Sequence, residues 1–287
     1  MKDLSRALAR APRAGLALMA LLAVTAVAAQ PDRLTLGVYP GVESGLAESY
    51  QILDRYLPLA KYLSAKAGAE VLLVPVRVPD NVMQRIAEGK PSYKLFFGPP
   101  VFASDAIKKG DFVPVAVEQE RIRGAFVVKS ASRLKTIQDF GPGTRIAMPT
   151  QKLLLTILAN ESLTQQKIVL QPDARQYLAS TDGILHALDS GIVEVAVMRN
   201  QAATKLTTDK PNDYRIVGVT VDAPGFALIA HKSVSESVRS KLRDAVIALN
   251  GDASPLAAEA RAGLTTSPLV AGRDDEFATL QRMMEAN

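Results

Sequence analysis

Along most of the chain, short apolar runs of strand type alternate with stretches whose apolar residues recur every three or four positions. That alternation builds a parallel or mixed sheet covered by helices. The run LTLGVY predicts a strand over 34–39. Ile52, Tyr56, Leu59, Ala60 and Leu63 then follow helical spacing, with Gly68 as a left-handed stop and Pro58 either starting or kinking the helix. Next come a strand over 71–78, a short helix opened by Pro79 and Asp80 and closed by Gly89, and a strand over 93–97. A helix over 101–109 and strands over 112–117 and 124–129 continue the alternation.

A second set of units follows: a short helix over 134–140, a strand over 145–148, a helix over 151–160, a strand over 167–170, a helix over 182–190 and a strand over 192–198. Strands over 214–221 and 226–230 precede an amphipathic helix marked by Val238, Leu242, Ala245, Val246 and Leu249 and capped by Ser235; a final helix spans 275–284. No repeat, low-complexity stretch or flexible linker separates the two sets, so two intimately joined lobes fit better than beads on a string.

The 287 residues contain no Cys and no Trp and are 48% hydrophobic and 22% charged, a globular composition with ample material for a core. Thiol catalysis, iron-sulfur clusters and thiolate zinc sites are excluded. With His186 and His231 as the only histidines, an all-histidine metal site is disfavoured as well, and no cofactor is expected. The segment Gly41-Val42-Glu43-Ser44-Gly45 has the wrong spacing for a nucleophile elbow, and no histidine is placed to activate Ser44.

Lys2, Arg6, Arg10 and Arg13 precede the uncharged run AGLALMALLAVTAVAA, which ends in small residues and is too short to span a bilayer. Residues 1–29 therefore read as a cleaved secretory leader, and the mature chain is expected to begin near Gln30 in the periplasm. Its removal lowers the formal charge from +5 to +2, so the basic character belongs largely to the leader. The remaining basic clusters, Lys108-Lys109 and Arg121 to Arg123, are small and read as solvated surface, and no nucleic-acid partner is expected.

Four stretches carry a family signature in their order and spacing. LTLGVYP with YLPLAKYLSAKAG (34–40 and 56–68) gives an opening strand and helix, and YKLFFGPPVFASDAIKKG (93–110) a strand, Gly-Pro turn and Ala-rich helix. GAFVVKSASRLKTIQDFGPGTRIAM (124–148) and ASTDGILHALDSGIVEVAVM (179–198) complete the set. Together they resemble the phosphonate-binding branch of periplasmic solute-binding proteins. The resemblance implies a two-lobed, type II-like α/β fold with mixed sheets flanked by helices and two crossing hinge strands, at about 124–129 and 219–226. It places lobe one at 30–121 with 222–287 and lobe two at 122–221. It also implies a monomer that binds a small-molecule ligand and delivers it to the membrane permease and ATPase of an ABC transporter.

Ligands of open α/β lobes sit outside the carboxyl ends of the strands, which selects the loops there. Tyr39 either meets a ligand or packs half-buried. Gly98 either admits a ligand to the backbone or makes a plain turn. Thr150 is expected to cap the helix beginning at Gln151, with Lys152 in its first turn, where it is either a solvated surface lysine or a contact to a bound anion that would offset the opposed dipole. Ser180 and Thr181 are expected to cap the next helix, and Arg199 is either an oxyanion ligand or a salt-bridge partner. The family's phosphonate loop is rich in Ser and Thr, whereas here it reads Pro149-Thr150-Gln151-Lys152, its histidine falls on Thr181 and its acid on Glu194. The expected function is capture of a small anionic solute for transport, with a periplasmic sensor as the alternative. An enzyme on the same scaffold lacks any visible acid-base pair or nucleophile triad.

Overall fold

The computed structural model describes residues 33–41, 48–77, 79–88, 90, 92–264 and 267–286. The leader at 1–29, Gly89 and most of the 41–45 segment lie outside them. In chain order, β1 (Arg33–Val38), α1 (Ser49–Ala67), β2 (Glu70–Pro75), α2 (Pro79–Ala87), β3 (Leu95–Gly98), α3 (Pro100–Lys109) and β4 (Phe112–Glu118) come first. Then follow β5 (Ile122–Lys129), β6 (Ile146–Pro149), α4 (Leu154–Gln165), β7 (Arg175–Leu178), α5 (Thr181–Asp189), β8 (Val195–Arg199), α6 (Asn200–Asp209) and β9 (Tyr214–Ala223). The chain ends with β10 (Ala227–His231), α7 (Glu236–Leu249), α8 (Pro255–Gly263), β11 (Leu269–Ala271) and α9 (Asp274–Ala286).

The strands form two sheets, in the orders β11-β4-β10-β3-β1-β2 and β7-β6-β8-β5-β9. Helices cover both faces, so successive side chains of a strand enter different cores. Leu95 and Phe97 of β3 pack with Ile52, Tyr56, Leu59 and Leu63 of α1, while Phe96 between them packs with Ala103, Ala106 and Phe277. In β5, Phe126 and Val128 face one core of the second sheet, and Ala125 and Val127 the other. Pro58 lies inside α1, which begins well before it, and Gly68 ends that helix at φ +69°. The chain passes between the sheets twice, through residues 119–121 and 224–226.

Four expectations need correction. The helix foreseen over 134–140 is a single 3-10 turn, Ile137–Asp139: Thr136 and Asp139 form a capping box at its start, and Gly141-Pro142-Gly143 follows at once and does not continue it. The run at 167–170 is not a strand. Lys167 turns at φ +59° and the Ile168 N–H closes on Leu163 O at 2.9 Å, finishing α4, while the strand of that unit is β7. The strands foreseen over 71–78 and 192–198 are shorter at one end, stopping at Pro75 and starting at Val195; Ile192 is exposed. Helices α6 and α8 and strand β11 were not foreseen; α6 buries Ala203 alone, too little to leave an amphipathic pattern.

Candidate functional site

The strand registers set where binding groups gather. Val38 lies beside Pro75 and Phe97 in parallel pairs, and Ala227 lies opposite both Gly98 and Val117. The carboxyl ends of β1 and β3, the end of β4 and the start of β10 therefore share one edge of the first sheet. In the second sheet, Pro149 pairs with Leu178, Gly124 with Arg199 and Ile122 with Ala223, with β6, β7 and β8 parallel. All eight residues singled out from the sequence emerge at these two edges, which the passages at 119–121 and 224–226 join.

Their local settings differ. Tyr39 is half-buried, donates its backbone N–H to Phe97 O at 3.0 Å and sets its ring edge-on to Phe102. Gly98 is the close-packed last residue of β3 rather than a turn: a Cβ there would lie 2.8 Å from the Phe96 ring and 3.1 Å from Tyr39 O. Thr150 does not cap a helix. The α4 helix begins at Leu154, three residues on, after a turn in which the Leu153 N–H donates to Thr150 O at 3.0 Å and which the Thr156 hydroxyl spans by donating to Pro149 O at 2.7 Å. Gln151 and Lys152 are exposed on that turn, and Lys152 precedes the helix rather than standing in its first turn. Ser180 does cap α5, its hydroxyl accepting the Gly183 N–H at 3.1 Å; Thr181 is the first helical residue, not a cap. Arg199 ends β8 and stands at the N-cap of α6.

Where the passages meet the second sheet there is a cavity of about 410 Å³, lined by Glu118, Glu120, Arg121, Ile122, Arg123, Arg199, Asn200 and Gln201. Arg199 is the member of the foreseen set that lines it. Arg121 and Arg123 are not isolated surface cations. They alternate on one face of the chain, and Arg121 Nε and Arg123 Nη2 grip Asp222, near the end of β9, at 2.6 and 3.0 Å. Burial works against ionisation of Asp222, but these two guanidinium groups overcome it and hold its carboxyl below the ordinary range. Gln201 Nε2 donates to Glu120 Oε1 at 2.5 Å, tying α6 to the first passage. Helices α3, α4 and α6 all begin at these edges without a side-chain cap.

In chemical terms the arrangement offers guanidinium donors, an amide pair and helix N-termini, which suit recognition of an oxyanion. Among the described residues no group of three His, Cys, Asp or Glu is placed to hold a metal ion, and no helix is long and apolar enough to cross a membrane. The sequence signal for the missed residues was the Arg-Ile-Arg alternation just ahead of the strand at 124–129, but Asp222, their partner, is about a hundred residues away.

The family model described as "ABC transporter, phosphonate, periplasmic substrate-binding protein" matches residues 47–277. A sequence search of curated proteins finds no match. Among solved structures, XAC2383 from Xanthomonas citri bound to ATP superposes with a TM-score of 0.68 at 13% identity, covering 88% of this chain and 96% of its own. PhnD1 from Prochlorococcus marinus in complex with methylphosphonate gives 0.62 at 14% identity, covering 89% and 98%. The periplasmic aliphatic sulphonate binding protein SsuA from Escherichia coli gives 0.56 at 16% identity, covering 89% and 91%. The architecture is thus the two-lobed α/β fold of periplasmic binding proteins. With the family model covering most of its length, the chain belongs to the phosphonate ABC-transporter family of periplasmic substrate-binding proteins.

Proposed function

We propose that the protein captures a small oxyanion, a phosphonate, phosphate, sulfonate or carboxylate, between lobes bounded at 30–121 with 222–287 and at 122–221, and presents the closed form to an ABC permease. The observation that carries this reading is the Arg199, Arg121 and Arg123 cluster around one cavity that also takes in the start of α6, a helix without a side-chain cap. Tyr39, Thr150, Gln151, Lys152 and Ser180 on loops, Gly98 at the end of β3 and Thr181 at the start of α5 stand at the same sheet edges, and in this reading they border the path of the solute. No bond is made or broken in this reading. Export after cleavage near Gln30 and a monomeric state belong to it.

Calorimetric titration with methylphosphonate, inorganic phosphate and a short alkanesulfonate tests the proposal. At least one should bind, and Arg199→Gln should weaken that binding by about 10- to 100-fold, the loss of one charge-assisted contact of about 1.5–3 kcal/mol. If Arg199→Gln binds as tightly as the parent, or if neither these three nor acetate, titrated alongside them, binds, the oxyanion assignment at this cavity fails.

A further inference from the structure

Helix α9 is anchored to the helices of one sheet and leans on a helix of the other. On its anchored side Phe277 is fully buried in the core of the first sheet. The hydroxyl of Ser104 in α3, itself fully buried, donates to Phe277 O at 3.2 Å, and Gln281 Nε2 donates to Ser104 O at 2.8 Å. Lys108 of α3 and Glu285 close the end of the contact as an ion pair. On its other side Leu280 and Met283, 1% and 8% exposed, pack on Ile157 and Leu158 of α4 and on Ala223 at the end of β9; Leu154 and Met284 complete the patch.

This apolar patch spans the division between the sheets, reaching from α4 and α9 to Ala223 beside the second passage. Leu280 and Met283 move with α3, whereas Ile157 and Leu158 move with α4. Any rotation of one lobe against the other about 119–121 and 224–226 therefore has to slide or part the patch. Close-packed apolar contacts lose their attraction within a fraction of an ångström of separation, so such a contact favours discrete arrangements over gradual yielding. Two of its members are methionines, whose unbranched side chains can repack as the contact shears. The α4 residues involved lie in the first turns of the helix, directly behind the loop at 149–152.

We infer that the α4–α9 contact is a latch that sets the resting angle between the lobes, so that residues with no access to the solute cavity tune how readily the protein closes. The inference rests on the two-lobed fold and not on the chemistry of the solute, and its test needs no ligand.

Because the chain has no cysteine, Lys61→Cys with Val169→Cys gives two unique spin-label sites, one beside each sheet. Electron-electron distance measurements on the empty, full-length mature protein compare the parent with Met283→Ala and with the milder Met284→Ala at the half-buried rim. Both truncations should shift or broaden the inter-lobe distance distribution while thermal unfolding stays cooperative, and the volume-conserving Met284→Leu should restore the parent distribution. A distribution in Met284→Ala that coincides with the parent's would overturn the latch, whatever becomes of Met283→Ala. So would a change that Met284→Leu reproduces in full.

Discussion

Glu118 and Phe226 hold each other twice: the Glu118 backbone N–H donates to Phe226 O at 2.9 Å, and the Phe226 N–H donates to Glu118 Oε2 at 3.1 Å. One residue ends β4 and the other leads into β10, so the two passages are fastened together where they leave the first sheet. Glu118 is 6% exposed. Glu118→Ala strands the Phe226 N–H and should lower stability by about 1–3 kcal/mol, the penalty for leaving one buried polar group without its partner. Urea unfolding followed by circular dichroism measures it, and an unchanged midpoint would count against the fastening.

Gly225 sits against the same carboxylate stem. A Cβ there would fall 2.5 Å from Glu118 Cβ and 2.8 Å from Glu120 O, a separation that atoms in stable structures do not adopt. Gly225→Ala must therefore push the two passages apart, with an expected loss of about 1–3 kcal/mol typical of overpacking. Chemical denaturation against the parent is again the measurement. A neutral substitution would mean that this part of the chain yields without strain.

Asp222 links pH to stability through a carboxyl held below its ordinary value near about 3.9 by Arg121 and Arg123 against the opposing effect of burial. A depressed carboxyl stabilises the fold at pH values above its unfolded pKa, and that contribution fades as pH falls from about 4 through the folded value. Asp222→Asn should thus melt at a lower temperature than the parent near pH 7, and the gap should narrow on acidification below about pH 4. Melting curves across that range decide it; a gap that stays constant with pH removes Asp222 from the acid response.

Ser180 and Thr150 make a matched pair of tests, because both stand just ahead of a helix at the same sheet edge and only one caps. Ser180→Ala gives up the bond to the Gly183 N–H and should cost about 1 kcal/mol. Thr150→Ala and Lys152→Ala remove exposed side chains that have no part in starting α4, and should change stability by less than about 0.5 kcal/mol. Thermal melts of the three variants side by side are sufficient, and equal losses in Ser180→Ala and Thr150→Ala would contradict the helix starts described above.

The elements legible in the sequence are those whose burial repeats with the period of the backbone. Ile52, Tyr56, Leu59 and Leu63 mark α1, Leu242, Ala245, Val246 and Leu249 mark α7, and Leu34, Leu36 and Val38 mark β1, because each set faces a single core. What escaped has no periodic signal: the Gly141-Pro142-Gly143 run after the single turn at Ile137–Asp139, and the non-helical turn at 150–153 ahead of α4, spanned by the bond from the Thr156 hydroxyl to Pro149 O. Arg199 was legible because it ends a strand, a position that topology alone turns toward a ligand. The rest of the cavity was not. Arg121 and Arg123 meet Asp222, and Glu118 meets Phe226, across pairings of segments far apart in sequence, and no local pattern records a register of that kind.

The position of β10 carries a consequence for the order in which the molecule is built. It lies between β3 and β4, so without residues 227–231 the first sheet falls into two unconnected pieces, β3-β1-β2 and β11-β4. The second sheet has no such gap, since all five of its strands come from the unbroken stretch 122–223. During synthesis that stretch can complete its hydrogen-bonded ladder while the first half of the chain still exposes the facing edges of β3 and β4. Closing those edges requires contacts between residues more than a hundred positions apart, which is slow by loop-closure entropy. The first sheet is therefore the late-forming part of the fold, and the interval before β10 arrives is when unpaired strands are open to aggregation or to a chaperone.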